Sequence, residues 1–473
     1  MSYGIYIGRN HTADGHAWLA GYGDEPSSHW LELVPGQTHA PGATIAVGVS
    51  PNSDLPGIRS TIPQAPATFR HLRVSYSHYL GVPAPITNGG LNEHGVAVRD
   101  IWSPSRAELI AMTPPDQSGP NYSDLARIVL ERARTAREGV EIIAALIAEH
   151  GYSCYGGNSH IIADPNEAWV VIEFAGAQRL WVAERLGPDA IRASRPGWVA
   201  ELTTAPNDSF RFPDHFIRFA QEQGWHDPAH PFDVNQVYGD GKGRWEGVKW
   251  IEAEMRARAA RPERIGFADV VWSIATETLT GDTAGYGQIV PLLHPRHDAL
   301  RDMWHAPVGP VTAPLVPVFM GMTDVPPEYG PHRYLTSGES ARFLDDRHAE
   351  RNPETVSHIP QGAEVTRSAF QAGKRLMHLA FQSGPLLGEI WDHCRATEAR
   401  LAKDLPDLLR SAEILLDSGE ARLAARLLTD HASTRLLAAL AEAETLANAA
   451  EARIRMAHGL NLGRTPLRPQ QLW

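Results

Sequence analysis

The second residue is a serine, and it can place a hydroxyl and a base on one residue. A small side chain after Met1 normally permits removal of the methionine. Ser2 would then carry a free α-amine beside its own hydroxyl. Such an amine serves as general base for a Ser or Thr nucleophile. Its unperturbed pKa of roughly 7.7–8.0 leaves a useful fraction neutral near pH 7. Many chains open Met-Ser without this chemistry, so the rest of the sequence has to decide.

Other residues invite other chemistry. Cys154 lies in a Gly-rich turn, Cys154-Tyr155-Gly156-Gly157-Asn158. As a nucleophile it would need a depressed pKa; as a structural thiol it needs nothing. The 22 histidines include no His-Glu-x-x-His, and the two cysteines form no zinc-spaced pair. His294, His297 and His305 share one stretch, but their spacing fits no common site. No metal and no cofactor is expected. Tyr238-Gly239-Asp240-Gly241-Lys242-Gly243 lacks the Lys-Ser/Thr ending of a phosphate loop and reads as a surface loop. Asn88 and Asn92 flank Gly89 and Gly90 between strands. Such a turn can aim an amide and backbone N–H groups at an oxyanion. Asn and Gly are also the ordinary turn residues.

These residues need elements to hold them. Ser2–Gly8 alternates and, with Ala17–Ala20, reads as a hairpin with Asp14-Gly15 in its turn. Trp30–Val34 and Thr44–Val49 are further strands. Asn88–Gly95 reads as a turn, left by a strand at Val96–Arg99. Ser123 is the expected N-cap of a helix carrying Leu125, Ile128, Val129, Ala133 and Ala136. Val140, Ile143, Ala144 and Ile147 mark a second helix, closed by Gly151. Strands return at His160–Ala163, Ala168–Phe174 and Leu180–Ala183, with a buried strand in Thr312–Gly321. From about Thr366 to His458 the chain is helical, with Leu409, Ala412, Leu416, Ala421, Ala424 and Leu428 facing a core. No repeat or linker is evident. This predicts a body over 1–365 and a helical region over 366–473 packed on it.

Composition narrows the class. At 473 residues, 43% hydrophobic and 21% charged, the chain suits a soluble globular protein with a large core. A net charge of -12 argues against nucleic acid or an anionic membrane as partner. Val311–Met322 is short and broken by Pro314 and Pro317, so no membrane span is expected. Few cysteines and no leader segment point to the cytoplasm. The length leaves room for a symmetric homo-oligomer.

Taken together, several segments resemble the dipeptidase A and secernin family of N-terminal nucleophile hydrolases. Ser2–Gly8 with Asp14-Gly15 is similar to its nucleophile strand and turn. Asn88-Gly89-Gly90-Leu91-Asn92-Glu93-His94-Gly95-Val96-Ala97 resembles its Gly-Gly-x-Asn-Glu-x-x-Val-Ala turn. Leu130–Glu138 resembles its most characteristic helix, and Ile162–Trp169 its central hairpin. Val316-Pro317-Val318-Phe319 with Asp324-Val325-Pro326 resembles a late segment, and Leu428-Thr429-Asp430 part of its C-terminal helices. Their shared order carries the resemblance.

The resemblance implies an α+β fold, a four-layer αββα sandwich with additional C-terminal helices. It implies an amide-bond hydrolase acting on a small peptide or N-acyl amide through an acyl-enzyme. Ser2 would stand where the family usually has Cys. Asp24 would orient the α-amine, and Asn92 would line the oxyanion hole with Ser194 in support. Gly21 stands where an Arg is expected, and Ser194 where related acylases have Asn. Two alternatives keep the fold: an amide-forming acyl transferase, or an inactive descendant that binds peptides.

Overall fold

Tyr3–Ile7 does not present one apolar and one polar face, because every residue in it is buried. It is an inner strand, paired antiparallel with Ala17–Gly23 on one side and Ile191–Ser194 on the other. The computed structural model describes residues 2–25, 27–77, 82–202, 207–331 and 367–458. Its first sheet has six strands, in the order Ile191–Ser194, Tyr3–Ile7, Ala17–Gly23, Tyr286–Leu292, Asp302–Ala306 and Val316–Phe319. Its second has eight, running Phe210–Arg211, Trp181–Leu186, Ala168–Glu173, Asn158–Ala163, Ala97–Ile101, Ile86–Asn92, His71–Tyr76 and His29–Val34. All these pairings are antiparallel.

The two sheets stack face to face. Tyr122–Arg132 and Ala136–His150 cover the outer face of the larger sheet. Glu246–Ala259, Phe267–Ala275 and Ala421–His458 cover the smaller. This is the expected αββα sandwich with C-terminal helices. Among the described residues no helix is long and apolar enough to cross a membrane.

Three local expectations change. The first helix is capped by Asn121, not Ser123: the Asn121 side chain accepts from the Asp124 N–H, and Asp124 returns the bond. That reciprocal box outcompetes a lone Ser. Ser123 Oγ instead accepts from the Thr87 N–H at 2.7 Å. The turn expected at Asn88–Gly95 is mostly strand, because Ile86–Asn92 pairs on both edges. Its glycines serve close approach: a Cβ on Gly90 would lie 2.2 Å from the Leu72 carbonyl oxygen. Of the C-terminal core candidates, Ala412, Ala424 and Leu428 are buried, Leu409 and Leu416 partly so, and Ala421 is exposed at the start of its helix. Residues 366 and 459–473 of that region, and Met1, lie outside the described residues.

Helix Ala369–Ala380 reaches the inner sheets. Phe370 lies 5.8 Å from the His29 ring, and Lys374 Nζ donates to the carbonyls of Asp282 and Ala284 at 3.3 and 3.2 Å.

Asn121→Ala should destabilise the fold by about 1–2 kcal/mol, the upper part of the usual N-cap range. The side chain also donates to the Gly48 carbonyl at 2.9 Å, which adds to the loss. Urea denaturation at constant m-value is the measurement.

Candidate active site

Side chains on a strand alternate, so Ser2 shares the inward face with Gly4. It is 2% exposed and sits at the end of an inner strand between the sheets. Ser2 Oγ donates to Glu25 Oε1 at 2.7 Å. The other oxygen, Glu25 Oε2, accepts from Asn88 Nδ2 at 2.7 Å. Gly23 makes room for this pair, since a Cβ there would fall 2.6 Å from Asn88 Nδ2 and 2.7 Å from Glu25 Oε2.

Asn88 reaches the site because of an irregularity in its strand. Ser75 faces Thr87 while the adjacent Val74 faces Gly89, which leaves Asn88 as an extra residue. Such a bulge re-aims a side chain. Arg99 Nη1 then donates to both the Asn88 carbonyl and Asn88 Oδ1. This fixes the amide with its NH₂ toward Glu25 and Ser2.

His29 forms a wall. Its ring lies 3.6 Å from Glu25 Oε2, stacked between Tyr76 and Tyr286 at 5.1 and 5.6 Å. Nδ1 lies 2.8 Å from the Ser27 carbonyl. Burial pulls His29 below its ordinary value against the pull of Glu25. Burial alone would raise the Glu25 carboxyl, but the bond and charge of His29 and the charge of Arg99 outweigh it and hold the group well below the carboxylate range.

Asp24 lies next along the chain and is buried. Oδ2 pairs with Arg195 Nη2 at 3.3 Å, and Oδ1 accepts from Thr283 Oγ1. Arg195 also donates to the Tyr22 hydroxyl at 2.6 Å. The partner that Gly21 does not provide is thus Arg195. Ser194 faces Gly4 across the strands, and its buried Oγ has no hydrogen-bond partner among the described residues.

Asn92 is elsewhere. It lies four residues beyond Asn88, roughly 13 Å along the strand. Its Nδ2 donates to the carbonyls of Leu130 and Ala133, and its Oδ1 accepts from the N–H groups of His94 and Val96. All four bonds of the amide bind strand to helix and turn, so Asn92 has no donor left for an oxyanion. The amide beside Ser2 belongs to Asn88.

Sequence reasoning missed Glu25, His29, Arg99 and Arg195. The adjacency of Glu25 to Asp24 and of Arg195 to Ser194 was visible, but neither spacing is distinctive. Cys154 is buried, its thiol pushed up by burial, and its backbone N–H donates to Gln117. Gly239, Asp240 and Gly243 of the Tyr238–Gly243 loop line a small open cleft with Ile172, Phe174, Pro196 and Trp198.

Residues 58–245 match the model of peptidase family C69. Asn88, Arg99, Ser194 and Arg195 lie inside that match; Ser2, Asp24 and Glu25 precede it. Over 154 residues the chain is 29% identical to a probable dipeptidase of Salmonella dublin, covering 32% of this chain and 34% of the relative. Over 90 residues it is 33% identical to probable dipeptidase B of Streptococcus pyogenes serotype M3, covering 19% of this chain and 18% of the relative. The match thus spans about a third of the first relative's length. Among solved structures, a mutant and a second variant of conjugated bile acid hydrolase from Clostridium perfringens each align with a TM-score of 0.31 and 11% identity. They cover 68% and 67% of this chain, and 92% of each of those chains.

Because the folded pKa of Glu25 is depressed, its contribution to stability is complete above the unfolded value of about 4.3 and lost as pH falls. Between about pH 5 and pH 3 the wild type should lose stability more steeply than Glu25→Gln. Urea titrations at each pH measure the two slopes.

Proposed function

We propose that this protein is an amide-bond hydrolase, dipeptidase-like, with Ser2 as its N-terminal nucleophile. The observation that carries the reading is the convergence of Ser2 Oγ, the Glu25 carboxylate and the Asn88 amide through two 2.7 Å bonds. The C69 match over residues 58–245 and the probable dipeptidases support the substrate class.

Loss of Met1 exposes the Ser2 amine. Ser2 Oγ attacks the carbonyl carbon of the substrate, and its hydroxyl proton, held on Glu25 Oε1 in the resting site, passes to the α-amine as the bond forms. The developing oxyanion meets Asn88 Nδ2, taking the hydrogen that in the resting site faces His29 Nε2 at 3.4 Å while the other stays on Glu25. Collapse breaks the C–N bond, and the α-ammonium returns the proton to the leaving amine. Water then attacks the Ser2 ester, giving the acid and restoring the hydroxyl. Asp24, anchored by Arg195 and Thr283, is the carboxylate that orients the α-amine. Ser194 Oγ lies on the same inward face and is a second polar group toward the reacting carbonyl.

Intact-mass spectrometry should find the chain without Met1. Ser2→Ala should abolish hydrolysis of a dipeptide panel while the protein stays folded, still melting in one cooperative transition; retained turnover would reject Ser2 as nucleophile.

Asn88→Ala should lower kcat by about 10²–10³, the usual scale for one oxyanion donor. Asn92→Ala should act on the melting temperature instead, because it strips bonds that join strand to helix. Kinetics and melts on the two variants separate these roles.

A further inference from the structure

We infer that Glu25 is a positioning residue matched to a hydroxyl at position 2, holding Ser2 Oγ on one carboxylate oxygen and the Asn88 amide on the other. The inference rests on Ser2 being the nucleophile. One rigid group then sets the distance between the attacking atom and the amide that would meet the oxyanion.

The surroundings leave Glu25 little freedom. Gly23 brings the backbone against both Glu25 and Asn88, so nothing larger fits beneath them. Arg99 fixes the far side of the Asn88 amide. His29 closes the remaining side within a stack of Tyr76 and Tyr286. The other charges near position 2 have partners of their own. Asp24 is held by Arg195 and Thr283, and Arg99 donates to Asp100 at 2.7 Å. Glu25 is the carboxylate in direct hydrogen-bond contact with Ser2 Oγ.

The chemistry distinguishes a hydroxyl from a thiol. A hydroxyl keeps its proton and donates it to the carboxylate, which raises electron density on Oγ. A thiol attacks as thiolate, and a neighbouring carboxylate disfavours the charged form. Glu25 therefore assists serine and opposes cysteine at the same position. A residue that merely supported the fold would affect both nucleophiles alike.

The test uses four full-length proteins: wild type, Glu25→Gln, Ser2→Cys, and the double variant Ser2→Cys/Glu25→Gln. Reactivity of Ser2 is read as the rate of labelling by a fluorophosphonate, in which Oγ bonds to phosphorus and fluoride leaves. Reactivity of the thiol in the Ser2→Cys proteins is read as alkylation by iodoacetamide across pH. Peptide mass mapping separates it from the buried Cys154 and Cys394. Glu25→Gln should slow labelling of Ser2 by about tenfold or more, the lower edge of general-base effects. In the Ser2→Cys background the same change should lower the N-terminal thiol pKa by about one unit and speed alkylation near pH 7 by roughly tenfold. Thermal melts accompany each protein. If Glu25→Gln unfolds the chain, Glu25→Asp replaces it. That variant should slow Ser2 by shortening the reach and leave the N-terminal thiol pKa elevated in the Ser2→Cys background. Effects of the same sign on both nucleophiles would overturn the inference. Absence of any fluorophosphonate on Ser2 in the wild type would instead overturn the nucleophile assignment. In that case a thiol pKa unmoved by Glu25→Gln would overturn the inference as well.

Discussion

A guanidinium buried between two sheets is the constraint on which the site depends. Arg99 is fully buried. Removing such a charge from water costs several kcal/mol unless its donors are satisfied. Here Nη1 and Nη2 reach Asp100, the Tyr22 carbonyl, and both oxygens of Asn88, while Nε has no hydrogen-bond partner among the described residues. The opposing sheet admits the side chain because two facing residues are glycines. A Cβ on Gly21 would lie 3.0 Å from Arg99 Nε, and one on Gly4 3.2 Å from Arg99 Cγ. Gly21 has a second reason to be glycine, because its Cβ would fall 2.3 Å from the Tyr3 carbonyl oxygen. Position 21 has no room for a cation in this chain; Arg99 enters beside it from the opposite sheet, and Arg195 is the cation that pairs with Asp24.

Two carboxylate–cation systems follow from this arrangement, and they act on different atoms. Arg99 orders Asn88, which orders Glu25, which holds the Ser2 hydroxyl. Arg195 and Thr283 hold Asp24 on the other side. Asp100, beside Arg99, has its carboxyl pushed up to about 7 by burial, with Arg99 pulling the other way. Its neighbour across the strands, His160, pairs with Glu173 at 2.8 Å under the first outer helix. Ser2 therefore sits at the end of a continuous polar layer inside the sandwich. Such a layer is stable only while each member has its partner.

The C-terminal helices contribute to the same layer. Phe370 packs on His29, and Lys374 holds the backbone on either side of Thr283, the residue that binds Asp24. Trp391 donates to the Ala275 carbonyl at 2.9 Å, tying a later helix to the layer below. Displacing these helices would loosen the carboxylates as well as the surface.

Local pattern was enough for much of the fold. The strand Tyr3–Ile7, the Asp14-Gly15 turn and the helical character up to Gly151 are properties of near neighbours, and the sequence determined them; the break between the two helices it did not, since the first ends at Arg132 and Ala136, expected within it, opens the second. It also singled out Ser2 and Asp24, and it raised Asn88 beside Asn92 without showing which of the two amides reaches Glu25. That choice depended on a bulge, and a bulge is a mismatch between two strands that no single strand records. Glu25, Arg99 and Arg195 were equally illegible: Arg99 reaches Asn88 and Tyr22 only when the two sheets stack, and Arg195 reaches Asp24 only through strands paired far apart in the chain. Their identities are ordinary charged residues, and only burial gives those charges a function. The sequence by itself determined which elements form and where a nucleophile could stand. The tertiary structure decided which carboxylate and which amide face it, because that depends on register and on the space left by glycines on the opposing strand.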